Sequence, residues 1–224
     1  AFDISNILGN DNVASMVVFE NGKAKRSRYR RFKIKSFEGA DDYRAMQEVL
    51  YRRLNEARVE RELVDAGELN IRDAKFLPLP DVFFVDGGKG HVTVAKEMLD
   101  MTECDIPVFG MVKDEHHRTR GLVSLDGEIS VSPNSEFFHM ITRIQDEVHR
   151  FAITYHRSLR DAIKSELDEI SGIGDTRKKA LFEHFGSIDK IKNATFDELM
   201  EVKSMDKKSA NSVIDYFNTK KVEE

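Results

Sequence analysis

The chain carries one cysteine, Cys104, in 224 residues, and no tryptophan. A lone cysteine excludes a disulfide scaffold and a thiolate zinc cluster, and it fits a reducing compartment such as the cytoplasm. Long apolar runs are missing as well. VASMVVF extends over only seven residues, far short of the roughly 20 that a membrane span needs. No charged, apolar, small-residue signal opens the chain, and it starts without Met, as a processed chain or a piece of something longer does. Thirteen Gly and four Pro are too few for a disordered or fibrous protein. What remains, 40% hydrophobic and 33% charged residues, is the composition of a soluble globular protein. The length suffices for one good-sized domain or two smaller ones.

An excess of positive charge is absent too, since the net charge is −5. Its distribution matters more than its sum. Between Glu20 and Lys35, eight cations (Lys23, Lys25, Arg26, Arg28, Arg30, Arg31, Lys33 and Lys35) face the single acid Glu20. A strip this concentrated can neutralise several phosphates of a duplex while the rest of the chain stays acidic. A solvated hairpin face is the plainer reading of the same residues.

The first half alternates strands and helices, which predicts an α/β domain. FDIS reads as a short strand, and VASMVVFENGKAKRSRYRRFKIK as a hairpin turning at Asn21-Gly22. Phe32 and Ile34 alternate with Arg31, Lys33 and Lys35, so one face packs and the other is basic. A helix is expected from about residue 41 to 64, capped by Asp41 or Asp42, with Met46, Val49, Leu50, Arg53 and Leu54 at helical spacing. DVFFV is apolar on both faces, as in a central strand, and ends in the Gly-rich turn DGGKG before the helix HVTVAKEML. IPVFGMV is a further buried strand, and GLVSLDGEISV a second hairpin. A long helix follows from about 135 to 159. From about Ser165 the chain becomes short helices with an internal repeat at an offset of 32 residues, LDEISGIGDTRKKALFEHFGS on LMEVKSMDKKSANSVIDYFNT. Two domains are therefore expected, 1–160 and 166–224.

Three side chains stand where catalysts usually stand. Asp3 lies on the first strand, Asp86 at the carboxyl end of the central strand, and His149 on the long helix. Carboxyl ends of neighbouring strands form the ligand crevice of an open α/β sheet. An aspartate in an apolar strand is costly to bury unless paired or bound to a metal. A divalent Mg²⁺ or Mn²⁺ relieves the repulsion of two such carboxylates and accepts an imidazole beside them. Each also has an ordinary role open to it: a frayed strand end, a turn residue, a helix histidine. Asp42 is a further candidate that can equally be a helix cap. Arg150, His156 and Arg157 form a stripe beside His149 that could contact phosphate. GGKG lacks the full nucleotide-binding spacing, yet Lys89 and the helix-start amides can hold a nucleic-acid phosphate. In SGIGDTRKKA, Gly172, Ile173 and Gly174 form a tight turn whose amides can bond a phosphate, with Lys178 and Lys179 one turn on. The second copy carries Ser204 and Asp206 in place of the glycines, and Asp206 opposes a phosphate.

The segments FDIS, VASMVVFENG, YRRFKI, DDYRAM, VDGGKG, QDEVHRFAITYHR and GIGDTRKKALFEHFGS follow the order seen in the C-terminal half of the UvrC family, the bacterial nucleotide-excision-repair endonucleases. The resemblance covers essentially the whole chain. It implies an RNase H-like mixed sheet flanked by helices, then a small all-α tandem helix-hairpin-helix domain. It implies metal-dependent incision of damaged double-stranded DNA on the 5′ side of a lesion, using Mg²⁺ or Mn²⁺. The family's catalytic Asp-Asp-His set falls on Asp3, Asp86 and His149, with a further acid at Asp42. Arg30, Arg31, Lys33, Lys89, Arg150, His156, Arg157, Gly172, Ile173, Gly174, Lys178 and Lys179 are the expected DNA contacts. The implied partners are UvrB, with UvrA upstream, although the UvrB-binding segment and the N-terminal nuclease domain of the 3′ incision lie outside this chain. Two other readings compete: a different RNase H-like nuclease of endonuclease V type, and a non-catalytic DNA-binding adaptor.

Overall fold

The computed structural model describes residues 1–7, 11–37, 39–116 and 118–223. They divide into two compact units: Ala1–Ser5 with Asn12–Ala152, and Asn6–Asp11 with Ile153–Glu224. The elements run β1 (Phe2–Ile7), β2 (Asp11–Met16), β3 (Phe19–Glu20), β4 (Lys23–Ala24), β5 (Arg30–Lys33), α1 (Asp42–Asp65), β6 (Phe83–Asp86), α2 (Lys89–Met101), β7 (Val108–Lys113), β8 (Thr119–Val123), β9 (Glu128–Ile129) and α3 (Glu136–Leu167). The helices α4 (Asp175–Phe185), α5 (Ile188–Asn193), α6 (Phe196–Glu201) and α7 (Lys207–Glu223) complete the chain.

Among the described residues the main sheet has the order β5-β2-β1-β6-β7-β8-β9. β6 pairs parallel with both β1 and β7, whereas β2–β5, β7–β8 and β8–β9 are antiparallel. β6 therefore sits in the middle, and its residues Phe83, Phe84 and Val85 are all buried, which is why DVFFV is apolar on both faces. The long hairpin is real but has two parts. β2 and β5 join the main sheet, while β3 and β4 form a separate two-stranded tip. Asn21 (φ 51°) and Gly22 (φ 72°) make that turn, the left-handed pair that a tight hairpin demands.

Helices cover both faces of the sheet. Met46, Val49, Leu50 and Leu54 of α1 and Val92, Ala95 and Leu99 of α2 pack with Phe2, Phe83 and Val85 on one side. Ile141, Ile144 and Val148 of α3 pack with Phe84, Met111 and Leu122 on the other. Leu50 is fully buried, so its truncation to Ala costs about 2–5 kcal/mol. Asp41, rather than Asp42, caps α1, its carboxylate accepting from the Arg44 amide at 3.0 Å. α3 continues to Leu167 rather than ending near residue 159. Its 160–167 stretch contains neither Gly nor Pro to stop it.

The second unit shows the repeat as geometry. Backbone bonds recur at the offset of 32: Ile170 N–H to Leu167 and Val202 N–H to Leu199, then Ile173 to Ile170 and Met205 to Val202. Leu167, Ile170 and Phe185 are buried, and so are their counterparts Leu199, Val202 and Phe217. Gly172 (φ 85°) has its equivalent in Ser204 (φ 73°), a left-handed conformation that costs a serine about 1 kcal/mol. Among the described residues no helix is long and apolar enough to cross a membrane.

Candidate metal centre

Strand register brings the two aspartates together. Phe2 and Val85 are partners on the parallel strands β1 and β6, and both side chains point to the α1/α2 face. Alternation turns the next residues, Asp3 and Asp86, to the opposite face, beneath α3. His149 descends from α3, and its Nδ1 lies 3.4 Å from Asp3 Oδ2. One donor atom from each of Asp3, Asp86 and His149 lies within 4.8 Å of the others, close to the roughly 4 Å that separates opposite ligands of one Mg²⁺ ion.

The turn after β6 is held by close backbone approach. A side chain at Gly110 would meet the Gly87 carbonyl oxygen at 2.3 Å, and one at Gly87 would meet the His91 ring at 2.4 Å. Glycine alone fits both places. The Gly87 amide also donates to the Met111 carbonyl at 3.2 Å, which fixes the point where Asp86 leaves the strand.

The electrostatics are those of an under-neutralised acidic pair. Asp3 is 7% exposed. Burial first, and then the neighbouring Asp86 carboxylate, push its pKa from 3.8 up to about 6, against the opposing pull of His149 and Lys113. Asp86 has two fixed partners. Lys113 Nζ donates to Oδ2 at 2.6 Å and Gln145 Nε2 to Oδ1 at 2.7 Å. His149 keeps 55% of its side chain in solvent, so one side of the trio stays open. Hard carboxylate oxygens and one imidazole, with surplus negative charge, fit a divalent cation.

The remaining expected residues lie elsewhere. Asp42 is exposed at the start of α1 and is outside the trio. It stands near His91, whose pKa burial lowers against the pull of Asp42 and Asp86. Arg31 lies over the Phe151 ring at 3.9 Å, and Lys33 is exposed on β5. Arg30 donates to the carbonyls of Ser27 and Tyr29. Lys89 is exposed at the first position of α2. Arg150 pairs with Glu147 at 2.7 Å. Arg157 is exposed, and the side chain of His156 lies outside the described residues.

In the second unit Gly172 and Gly174 flank Ile173, whose side chain is buried, so this turn can offer only backbone donors. Lys178 is likewise mostly buried and pairs with Asp168, which takes its ammonium off the surface. Lys179 stays exposed and lies 3.7 Å from Glu183. At the second turn Asp206 accepts from the Ser209 amide at 2.8 Å and from Arg177 Nη2 at 2.6 Å. A carboxylate already occupies the helix start where a phosphate would lie. Sequence reasoning missed Lys113, Gln145 and Thr119. Gln145 was within reach, being one helical turn before His149 and hence on the same face.

Comparisons with known proteins agree with one another. Residues 1–153 match the family described as the UvrC RNAse H endonuclease domain, and residues 169–224 match the helix-hairpin-helix motif. The UvrABC system protein C of Clostridium acetobutylicum is 52% identical over all of this chain and 36% of its own length. The same-named proteins of Clostridium beijerinckii and Alkaliphilus oremlandii are 53% and 50% identical, over 98% and 97% of this chain. The chain spans about a third of the length of the curated relatives it matches.

Proposed function

The chain belongs to the UvrC family, and we propose that it forms the part of the whole protein that cuts a damaged DNA strand on the 5′ side of a lesion. Residues 1–160 are the nuclease domain in this reading, and 166–224 the tandem helix-hairpin-helix module. The observation that carries it is the meeting of Asp3, near the start of β1, Asp86, at the carboxyl end of β6, and His149 of α3.

Asp3 and Asp86 hold Mg²⁺ or Mn²⁺ through carboxylate oxygens. Such an ion supplies Lewis acidity toward water and phosphate oxygens. Asp3 must be ionised to serve, so affinity for the ion falls as pH drops below about 6. His149, on the open side, completes the donor set or carries a proton to solvent. Lys113, on Asp86 and near Asp3, balances the acidic pair and leaves a cation beside the scissile phosphate. Arg30, Arg31, Lys33, Lys89 and Arg150 are the DNA contacts of the first unit in this reading, and His156 and Arg157 belong to those of the second. In the second unit, Gly172, Ile173, Gly174, Lys178 and Lys179 form the first hairpin's grip, Ile173 by shaping the turn and Lys178 by tying it to Asp168. UvrB, loaded by UvrA, delivers the whole protein to the lesion, which places the reaction in the cytoplasm.

A duplex with one defined lesion and a ready-made 3′ nick tests the reading, incubated with the whole protein, UvrA, UvrB, ATP and Mn²⁺. The wild type is expected to give a single 5′-side product that Asp86→Ala abolishes. Undiminished cutting by Asp86→Ala overturns the assigned site, and loss of the cut without any effect of manganese removal overturns the metal.

A further inference from the structure

Gln145 is a polar side chain buried to 1% exposure, and all of its amide is in use. Nε2 donates to Asp86 Oδ1 at 2.7 Å and to the Met111 carbonyl at 3.1 Å. Oε1 accepts from the Thr119 hydroxyl at 2.6 Å. These three partners fix which way the amide faces. Turned over, it would set its oxygen against a carboxylate and a carbonyl, two acceptors with nothing to give. Asp86 and the Met111 carbonyl can only accept, so they set the orientation, and Thr119 is the one of the three that can donate to the buried Oε1 and hold the amide in place.

The backbone puts Thr119 there by an irregularity. Met111 pairs with Leu122 and Val112 with Gly121, but Lys113 pairs with Thr119, so the register shifts past Arg120. Regular alternation would aim Arg120 at α3 beside Leu122. The bulge aims Thr119 there instead, while Arg120 pairs outward with Glu128. Lys113 Nζ holds the other oxygen of Asp86, so the carboxylate plane is gripped from both ends. His149, four residues after Gln145, shares its helix face.

We infer that Thr119 is a positioning residue for the metal centre, acting through Gln145 to hold Asp86 in its ligating orientation. The inference rests on the reading of Asp3, Asp86 and His149 as metal ligands. Gln145 is bonded directly to Asp86, and loss of such a partner typically costs 10–100-fold in metal affinity, the ceiling for what Thr119 contributes through it. Thr119 touches no ligand directly, so its substitution leaves the donor atoms untouched.

The test is Mn²⁺ binding to the 224-residue chain, by calorimetry and by the paramagnetic signal of free manganese, with no DNA present. Thr119→Val keeps the shape and removes the donor, and is expected to weaken Mn²⁺ about 10-fold. Thr119→Ser keeps the hydroxyl and is expected to bind within about twofold of wild type. Gln145→Met removes the amide without touching β8 and should lose at least as much as Thr119→Val, the double variant losing no more than Gln145→Met alone. Wild-type affinity in Gln145→Met, while Asp86→Asn has lost binding, overturns the inference and leaves the metal site standing, whatever Thr119→Val does to folding. Equal losses in Thr119→Val and Thr119→Ser also overturn it. Unchanged Mn²⁺ uptake by Asp86→Asn overturns the metal reading itself.

Discussion

Replacing Asp3 by Asn should make the metal-free chain more stable, and by an amount the site itself sets. The Asp3 carboxyl lies at about 6 in the folded chain against 3.8 unfolded, because it is buried and faces Asp86. That difference corresponds to about 3 kcal/mol. Its sign follows from proton counts. Between about pH 4 and pH 6 the folded state binds more protons than the unfolded state, so stability falls as pH rises through that window. Below it Asp3 is neutral in both states and costs nothing. Above it the full penalty applies. Asn keeps the shape and stays neutral at every pH. Urea unfolding of the first unit in EDTA should therefore show Asp3→Asn more stable than wild type by about 2–3 kcal/mol at pH 7.5 and nearly equal near pH 4. Adding Mn²⁺ at pH 7.5 should stabilise the wild type and narrow the gap. Equal stability at both pH values, or a less stable Asn variant at pH 7.5, refutes the idea that Asp3 is held as an unrelieved buried charge.

Three further outcomes are expected. Lys113→Met removes a cation 2.6 Å from Asp86 and should tighten Mn²⁺ binding severalfold while slowing cleavage; calorimetry showing weaker binding contradicts this. Arg31→Ala with Lys33→Ala takes two charges from the basic face of β5, and the salt dependence of duplex binding should flatten by roughly two in log–log slope, measured by anisotropy between about 50 and 200 mM salt. Asp206→Ala removes the side chain that accepts from the Ser209 amide and from Arg177. It should cost about 1 kcal/mol in urea unfolding of the second unit, whereas Asp206→Asn should recover most of the loss.

The aspartates were legible because each breaks an apolar pattern: Asp86 closes DVFFVD, and Asp3 interrupts a strand whose neighbour Phe2 is fully buried. Their shared face was not legible, since it depends on the parallel register of Phe2 with Val85, a long-range pairing with no local signal. Thr119 was hidden for a related reason. Period-2 alternation from Leu122 points to Arg120, and only the bulge puts Thr119 in its place. The repeat was plain in the sequence, yet Lys178 looked like a surface cation until Asp168, ten residues earlier, proved to be its partner. Helix length was overrun for want of a breaker: nothing between residues 160 and 167 stops α3.

The most direct test of the central claim is anomalous diffraction from crystals of the chain soaked in Mn²⁺ at pH 7.5. A manganese peak bounded by the carboxylates of Asp3 and Asp86 and the imidazole of His149, absent from Asp86→Asn crystals, is the predicted result. Fully occupied manganese elsewhere on the first unit, with no peak between the aspartates, would contradict it.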